Sequence, residues 1–229
     1  MSQEVKEALR RVKARIVATD RVLESSERTN VVARLTGADY ISLGALSVAW
    51  GSALLFLRGE PNLALLAMFV AFLLDKLDGY YARRTGNSSP FGRRVDSFID
   101  VFAYLVPAAL LYRTFSPHVA ATWVVGFVDL AFGGLRLIRH NAEGFGETDG
   151  RSYYHGTTVV HTNLVVVANY LLATSTGWSG WSAGLVVAAA CPLMISDYKA
   201  YKTDTAHALA AGCVLLAAAV AVGFELGYV

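Results

Sequence analysis

The chain has 229 residues, of which 55% are hydrophobic and only 17% are charged, so it is too apolar for an ordinary soluble domain. A net charge of +2 offers no clustered basic footprint, and we therefore expect no nucleic-acid partner. Both properties point to a membrane protein whose apolar helices are joined by short polar connections.

Residues 1–34 form a basic segment with helical periodicity. Val5, Leu9, Val12 and Ile16 recur at helical spacing, with lysines and arginines between them. We predict an amphipathic juxtamembrane helix on the anionic cytoplasmic surface. The alternative is a solvated helix that packs against the rest of the protein. The segment is too strongly charged to resemble a secretory signal peptide.

Long apolar blocks follow, each near the roughly 20 residues that a helix needs to cross a hydrocarbon core. They lie at 40–58, 61–82, 95–115, 118–138, 157–175, 181–196 and 206–226. The last block could instead be a re-entrant or surface segment, which leaves six to seven transmembrane helices. The predicted fold is an all-α integral membrane protein in which residues 35–229 form a single transmembrane domain.

The distribution of basic residues predicts the orientation of these helices. If the N-terminus is cytoplasmic, the polar stretches 83–94, 139–153 and 197–204 also lie inside. Arg58 and Arg113 are then the basic residues at outer ends, as the positive-inside rule requires. We predict an integral cell-membrane protein with its N-terminus and its functional site on the cytoplasmic side.

Four aspartates lie at the inner ends of the second and third blocks. Asp75 and Asp78 are three residues apart, and Asp96 and Asp100 are four apart, so each pair occupies one helical face. The intervening loop contains a Gly and a Ser-Pro pair, which suit the end of one helix and the start of the next. The two acidic faces are therefore expected to meet.

Four carboxylates gathered near a membrane repel one another and need compensating cations. Two divalent ions would neutralise them, and an all-oxygen donor set favours Mg²⁺ or Mn²⁺ over Zn²⁺. The alternative is a juxtamembrane charge network in which the aspartates pair with nearby cations. These cations are Lys76, Arg83, Arg93 and Arg94.

The residues around the aspartates match a family pattern over about 26 residues. The pattern Asp-Gly-x2-Ala-Arg-x8-Gly-x3-Asp-x3-Asp is met by Asp78, Gly79, Ala82, Arg83, Gly92, Asp96 and Asp100. The chain thus resembles the CDP-alcohol phosphotransferases. Residues 36–42 also look like the segment near the cytidine in these enzymes, although Asp39 stands where many members have Asn.

This resemblance implies a two-metal enzyme acting on a CDP-linked lipid such as CDP-diacylglycerol. Its metal ligands would be Asp75, Asp78, Asp96 and Asp100. The CDP-lipid-binding residues would be Asp39, Gly79, Ala82, Arg83 and Gly92. Asp100 would also serve as the general base that activates a small alcohol acceptor. The resemblance further implies a homodimer.

The acceptor is suggested by a likeness to the phosphatidylserine synthase branch of the family. Residues 136–141 resemble its Arg-Leu-Ala-Arg-Phe-Asn motif, and residues 193–202 resemble its later Leu-Met-Val-Ser stretch. Arg136 and Arg139 are candidate ligands for an acceptor carboxylate or phosphate, or else flanking positive charges. The chain departs from the branch at 103–105, Ala-Tyr-Leu for Ser-Phe-Gly, and at 155–158, which reads His-Gly-Thr-Thr where the branch has Gly-Leu-Pro.

L-serine is accordingly the leading acceptor, and the predicted reaction yields a phosphatidylserine-type lipid and CMP. Glycerol phosphate, inositol phosphate, inositol and choline remain alternatives with the same chemistry. A different class, an ion-coupled carrier with intramembrane acids, would explain the aspartates but not the Gly, Ala and Arg positions between them.

Other polar residues in the apolar blocks carry weaker predictions. Asp129 should have a partner or a function, and the sequence names neither. Cys191 and Cys213 are expected to be small buried side chains rather than a disulfide. The histidines at 140, 155 and 161 lack a metal-binding spacing and are expected to make structural hydrogen bonds.

Overall fold

The computed structural model describes residues 30–86, 90–148, 150–201 and 203–227. The predicted amphipathic helix, residues 1–34, lies outside the described residues except at its end, where Val32–Arg34 form a 3₁₀ turn. It therefore stays a prediction.

The first two long helices form an antiparallel pair with well-defined ends. Helix α1, Gly37–Arg58, starts at a capping box between Thr36 and Asp39 and ends at Gly59. Helix α2, Pro61–Thr85, starts with its proline in the first turn and ends at Gly86. Both terminal glycines adopt positive φ, which closes a helix without steric cost. The sequence predicted both helices to within a few residues.

The third predicted block is one span in three parts. Helix α3 covers Pro90–Asp100, a π-helical turn covers Val101–Leu105, and helix α4 covers Val106–Thr114. Within the π turn the Val106 N–H reaches the Val101 carbonyl. Pro107 follows directly and lacks an N–H of its own, so the regular α ladder is already interrupted here.

The later helices match the remaining predicted blocks. They are α5 (Val119–Glu143), α6 (Val159–Ser175), α7 (Gly180–Ala190) with a following 3₁₀ turn (Cys191–Ile195), and α8 (Asp204–Glu225). The change to 3₁₀ at Cys191 coincides with Pro192, which cannot continue an α ladder. Helix α5 packs closely on the π turn, because a Cβ at Gly133 would collide with Leu105.

The all-α prediction missed a small antiparallel sheet between the helices. Strands β1 (Gly146–Thr148), β2 (Arg151–His155) and β3 (Lys199–Tyr201) pair in the order β1-β2-β3. Tyr153 pairs with Gly146 on one side and Tyr201 on the other. The strands come from stretches 139–153 and 197–204, which the sequence marked only as polar loops, and their aromatic residues favour strand structure.

Four helices in the described part of the chain are long and apolar enough to cross a membrane, which indicates a membrane protein. They are Gly37–Arg58, Phe91–Thr114, Val119–Glu143 and Ala208–Glu225, with two shorter apolar helices at Val159–Ser175 and Gly180–Ile195. The predicted total of six to seven spans stays a prediction. Helix α8 leaves Leu209, Leu215 and Leu216 more than 60% exposed, as expected of a lipid-facing surface.

The two cysteines differ in environment. Cys191 is fully buried beside α5, as predicted, whereas Cys213 is exposed, so the prediction of a buried side chain was wrong there. Helix α8 packs through one face on α2 and α6, and apolar composition could not reveal which of its residues face outward. Both thiols are free.

Candidate active site

Three of the four predicted metal ligands form one acidic cluster. Asp75 and Asp78 on α2 and Asp96 on α3 each offer a carboxylate oxygen, and these oxygens all lie within 4.8 Å of one another. Asp75 and Asp78 are 6% and 4% exposed. The antiparallel approach of α2 and α3 therefore brings the acidic faces together, as the i,i+3 and i,i+4 spacings predicted.

Asp100 adjoins the cluster. It is the last residue of α3 and interacts electrostatically with Asp75 and Asp96. The three grouped carboxylates are the candidate metal-binding set, and Asp100 lies beside them.

Hydrogen bonds hold two of the clustered carboxylates in place. Tyr104 Oη donates to Asp75 Oδ2 at 2.6 Å, and Ser42 Oγ on α1 donates to Asp78 Oδ2. The sequence motifs marked neither hydroxyl as part of the site. Ser42 lies at the end of segment 36–42, and Tyr104 lies four residues after Asp100, so both stand near predicted site residues, but their contacts with the carboxylates form between separate helices.

The charge-network alternative is realised only in part. Lys76 Nζ lies 2.7 Å from Asp75 Oδ2. Within 30–86 and 90–148, no salt bridge joins Arg83, Arg93 or Arg94 to the aspartates. A single lysine leaves most of the carboxylate charge uncompensated, and the donor atoms are all oxygens. This chemistry fits Mg²⁺ or Mn²⁺.

The predicted CDP-lipid-binding residues lie around the cluster on three helices. Gly79, Ala82 and Arg83 are on α2, Gly92 is on α3, and Asp39 is in the first turn of α1. A Cβ at Gly79 would lie 3.2 Å from Arg83 Nη1, so the glycine leaves room for the guanidinium to fold back along α2.

Asp39 caps helix α1, which is a structural role in addition to its predicted role in CDP-lipid binding. Its Oδ2 accepts hydrogen bonds from the Thr36 N–H at 2.6 Å and from Thr36 Oγ1 at 2.8 Å. The carboxylate is 4% exposed and closes the capping box of α1. It therefore fixes the start of the helix that carries Ser42.

The two candidate acceptor arginines lie in different environments. Arg136 is 6% exposed, its Nε donates to the Thr157 carbonyl at 3.4 Å, and it interacts electrostatically with Asp100. Arg139 instead donates to the carbonyls of His155, Met194, Ile195 and Ser196 at 2.6–3.2 Å. Its guanidinium is thereby engaged in joining β2 to the 3₁₀ turn, and Arg136 is the arginine that faces the acidic site.

The histidines make the structural contacts expected of them. His161 Nδ1 contacts Thr158 Oγ1 at 2.7 Å in the cap of α6, and His155 Nδ1 lies 3.4 Å from the Asp197 carbonyl. His140 packs edge-on against Phe145. Among the described residues none of them joins the metal-binding group.

Asp129 has a weak partner that the sequence did not suggest. Cys191 Sγ lies 3.9 Å from its Oδ1. Its Oδ2 is buried without a hydrogen-bond partner in the described part of the chain. The side chain lies at the contact of α5 with the 3₁₀ turn, apart from the acidic cluster.

A small, partly open apolar pocket lies between α2, the π turn, α6 and α8. Tyr104, Phe72 and Asn163 are among the side chains in its wall. Tyr104 therefore lines this pocket, while its hydroxyl points toward Asp75.

The fold and site define a membrane protein with a carboxylate cluster at the ends of two helices. The family model for CDP-alcohol phosphatidyltransferase matches residues 35–224. The chain belongs to this family, and the resemblance drawn from the aspartate motif is confirmed.

Several relatives share this likeness. Archaetidylserine synthase from Methanothermobacter thermautotrophicus is 31% identical over 169 residues, 72% of this chain and 70% of the relative. Proteins named CDP-diacylglycerol--serine O-phosphatidyltransferase are similar over shorter lengths. The one from Methanocaldococcus jannaschii is 33% identical over 48% of this chain and 53% of its own length, and the one from Mycobacterium leprae is 34% identical over 44% and 35%.

Proposed function

We propose that the protein transfers the phosphatidyl group of CDP-diacylglycerol, or its archaeal ether equivalent, to the hydroxyl of L-serine and releases CMP. The observation that carries this proposal is the acidic cluster of Asp75, Asp78 and Asp96, whose oxygens converge within 4.8 Å. The names of the relatives support serine as the acceptor.

The cluster is the proposed holder of two divalent cations, Mg²⁺ or Mn²⁺, with Asp100 completing the set. Bound there, the cations would neutralise charge on the diphosphate and on the departing CMP. The protein contributes rigidity, because Ser42 and Tyr104 hold the carboxylates before substrate arrives.

Asp100 is the proposed general base. An alcohol hydroxyl is a poor nucleophile near pH 7, and a positioned carboxylate can take its proton as the bond to phosphorus forms. The oxygen–phosphorus bond to CMP then breaks, and CMP leaves with the electron pair. The electrostatic interactions of Asp100 with Asp75 and Asp96 on one hand and with Arg136 on the other support this role.

Arg136 is the proposed ligand for the serine carboxylate. A guanidinium offers two parallel donors to a carboxylate, and Arg136 has one backbone acceptor at 3.4 Å. Serine held there by its carboxylate would present its hydroxyl toward Asp100. A phosphorylated acceptor would call for further cations beside the site, and Arg139 is already engaged by carbonyls.

The remaining roles follow the family pattern. Gly79, Ala82, Arg83 and Gly92 would line the nucleotide, and Asp39 would lie near the cytidine as well as cap α1. We further propose that the site opens to the cytoplasm, where a membrane-embedded CDP-lipid and a water-soluble alcohol can meet, and that the enzyme is a homodimer.

The experiment that tests this proposal is CMP release by the purified protein from CDP-diacylglycerol with Mg²⁺ or Mn²⁺. Serine and each alternative alcohol are added in turn. Asp96→Ala should abolish release, whereas Asp129→Asn, which removes a buried charge outside the cluster, is the matched control. Release with another alcohol alone would refute serine as the acceptor, and no release with any alcohol would refute the enzyme assignment.

A further inference from the structure

Tyr104 joins the acidic cluster to the π turn of the third span. Its hydroxyl donates to Asp75 Oδ2 at 2.6 Å, and the residue is 2% exposed. It belongs to the π turn Val101–Leu105, which interrupts the third span directly after Asp100. Single π turns inside α-helices occur often at functional sites.

The π turn explains how a residue so far along the span reaches Asp75. Asp96, Asp100 and Tyr104 are spaced by four residues. In a regular α-helix each such step rotates about 40° beyond a full turn, so the third member would drift away from the first. A π turn contains more residues per turn and reduces this drift. It therefore keeps Tyr104 on the acidic face.

The surroundings fix the ring of Tyr104. Phe72 packs against it edge-on with ring centroids 6.0 Å apart. Asn163 Nδ2 donates to the Tyr104 carbonyl at 3.3 Å, which anchors the backbone as well. The hydroxyl is thus presented by a side chain with little freedom to move.

Asp75 Oδ2 receives a second donor of a different kind. Lys76 Nζ lies 2.7 Å away and also lies 5.3 Å and 5.8 Å from the ring centroids of Phe72 and Tyr104, but 57% of the lysine side chain is exposed. The lysine contributes positive charge, whereas the buried tyrosine fixes the orientation of the Asp75 carboxylate. With Oδ2 held in this way, the orientation of the whole carboxylate toward Asp78 and Asp96 is set.

We propose that Tyr104 is a positioning residue that orients Asp75 and so raises the affinity of the acidic cluster for divalent cations. This inference rests on the proposed function, because it deepens the account of the same site. Partners that orient metal-binding side chains commonly change metal affinity by about ten-fold or more when removed.

The test is direct Mn²⁺ binding to the full-length protein in detergent, without substrate, measured from the electron paramagnetic resonance signal of free Mn²⁺. Tyr104→Phe keeps the ring and removes the hydroxyl, and it should weaken Mn²⁺ binding by about ten-fold. Tyr112→Phe is the matched control, because this buried tyrosine donates to the Gly180 carbonyl at 2.8 Å, away from the cluster. The control should bind Mn²⁺ like the wild type.

Equal Mn²⁺ affinity of Tyr104→Phe and the wild type, or equal weakening in both tyrosine variants, would overturn the inference. A second pair of variants controls for misfolding. Tyr104→Gln retains a hydrogen-bond donor and Tyr104→Met does not, so the glutamine variant should bind Mn²⁺ more tightly than the methionine variant. Equal binding by this pair would also count against the inference. A wild-type protein that binds no Mn²⁺ would refute the proposed function itself, whereas loss of the Tyr104 effect alone leaves that function intact.

Discussion

Ser42 donates a hydrogen bond to Asp78 Oδ2 and so connects α1 to the acidic cluster on α2. The two residues are 36 positions apart, and both are at least 95% buried. The start of α1, fixed by the Thr36 and Asp39 capping box, therefore determines where a metal-binding carboxylate points.

Ser42→Ala should weaken the apparent affinity for Mn²⁺ measured through CMP release. Without the hydroxyl, Asp78 loses a fixed partner, and we expect the Mn²⁺ concentration for half-maximal activity to rise by about ten-fold. Ser52→Ala is the matched control, since this fully buried serine of α1 donates to the Ala64 carbonyl at 2.7 Å instead. A similar shift in both variants would assign the effect to helix packing.

Asp100→Asn should separate catalysis from binding. If Asp100 is the base, the variant should lose turnover by about 10²-fold or more. CDP-diacylglycerol binding should persist, because the three grouped carboxylates of Asp75, Asp78 and Asp96 remain to hold the cations. Asp96→Asn should lose both, because it removes a member of the metal-binding group. Turnover is measured as the rate of CMP release, and lipid binding is measured by equilibrium titration with CDP-diacylglycerol. Normal turnover in Asp100→Asn would exclude the base assignment.

Arg136→Gln should raise the KM for serine by about 10-fold to 100-fold, since a charge-assisted hydrogen bond contributes about 1.5–3 kcal/mol. The KM for CDP-diacylglycerol should stay near its wild-type value. The comparison variant is Arg139→Gln, which removes donors to backbone carbonyls and should chiefly lower thermal stability. An unchanged serine KM in Arg136→Gln would place the acceptor elsewhere.

Gly156→Ala should destabilise the connection between β2 and the 3₁₀ turn. Gly156 has a φ of +73°, and an added Cβ would collide with the Met194 and Leu193 carbonyls. Strain of this kind costs about 1–3 kcal/mol. Gly150→Ala provides the comparison, because its φ is +70° and no atom lies within 4 Å of the added Cβ. Thermal unfolding in detergent should show the larger loss at Gly156.

The helices and the acidic cluster could be predicted from the sequence because both depend on residues that are close together along the chain. Apolar block length located the helices to within a few residues, and the spacing of Asp75, Asp78 and Asp96 placed them on facing surfaces. Both properties depend on helical periodicity, which is fixed by neighbours along the chain.

Contacts between distant segments could not be predicted in the same way. The hydroxyls of Ser42 and Tyr104 reach the carboxylates only because three helices converge, and Arg139 meets its carbonyls across 16 to 57 residues. Strand β3 likewise pairs with a segment more than 40 residues earlier. A single sequence carries no record of such pairings, and the polar loops gave no regular pattern that would indicate the sheet.

The π turn also has a consequence for how this span can vary. One wide turn accommodates a single extra residue in an α-helix without a full extra step of rotation, so the two halves keep nearly the relative rotation of an α-helix one residue shorter. The half before the turn orients Asp96 and Asp100, and the half after it orients Tyr112 toward Gly180. If residues 101–105 wound as a regular α-helix with no residue removed, one half would turn relative to the other by about 100°. The acids and Tyr112 could then no longer both face their partners.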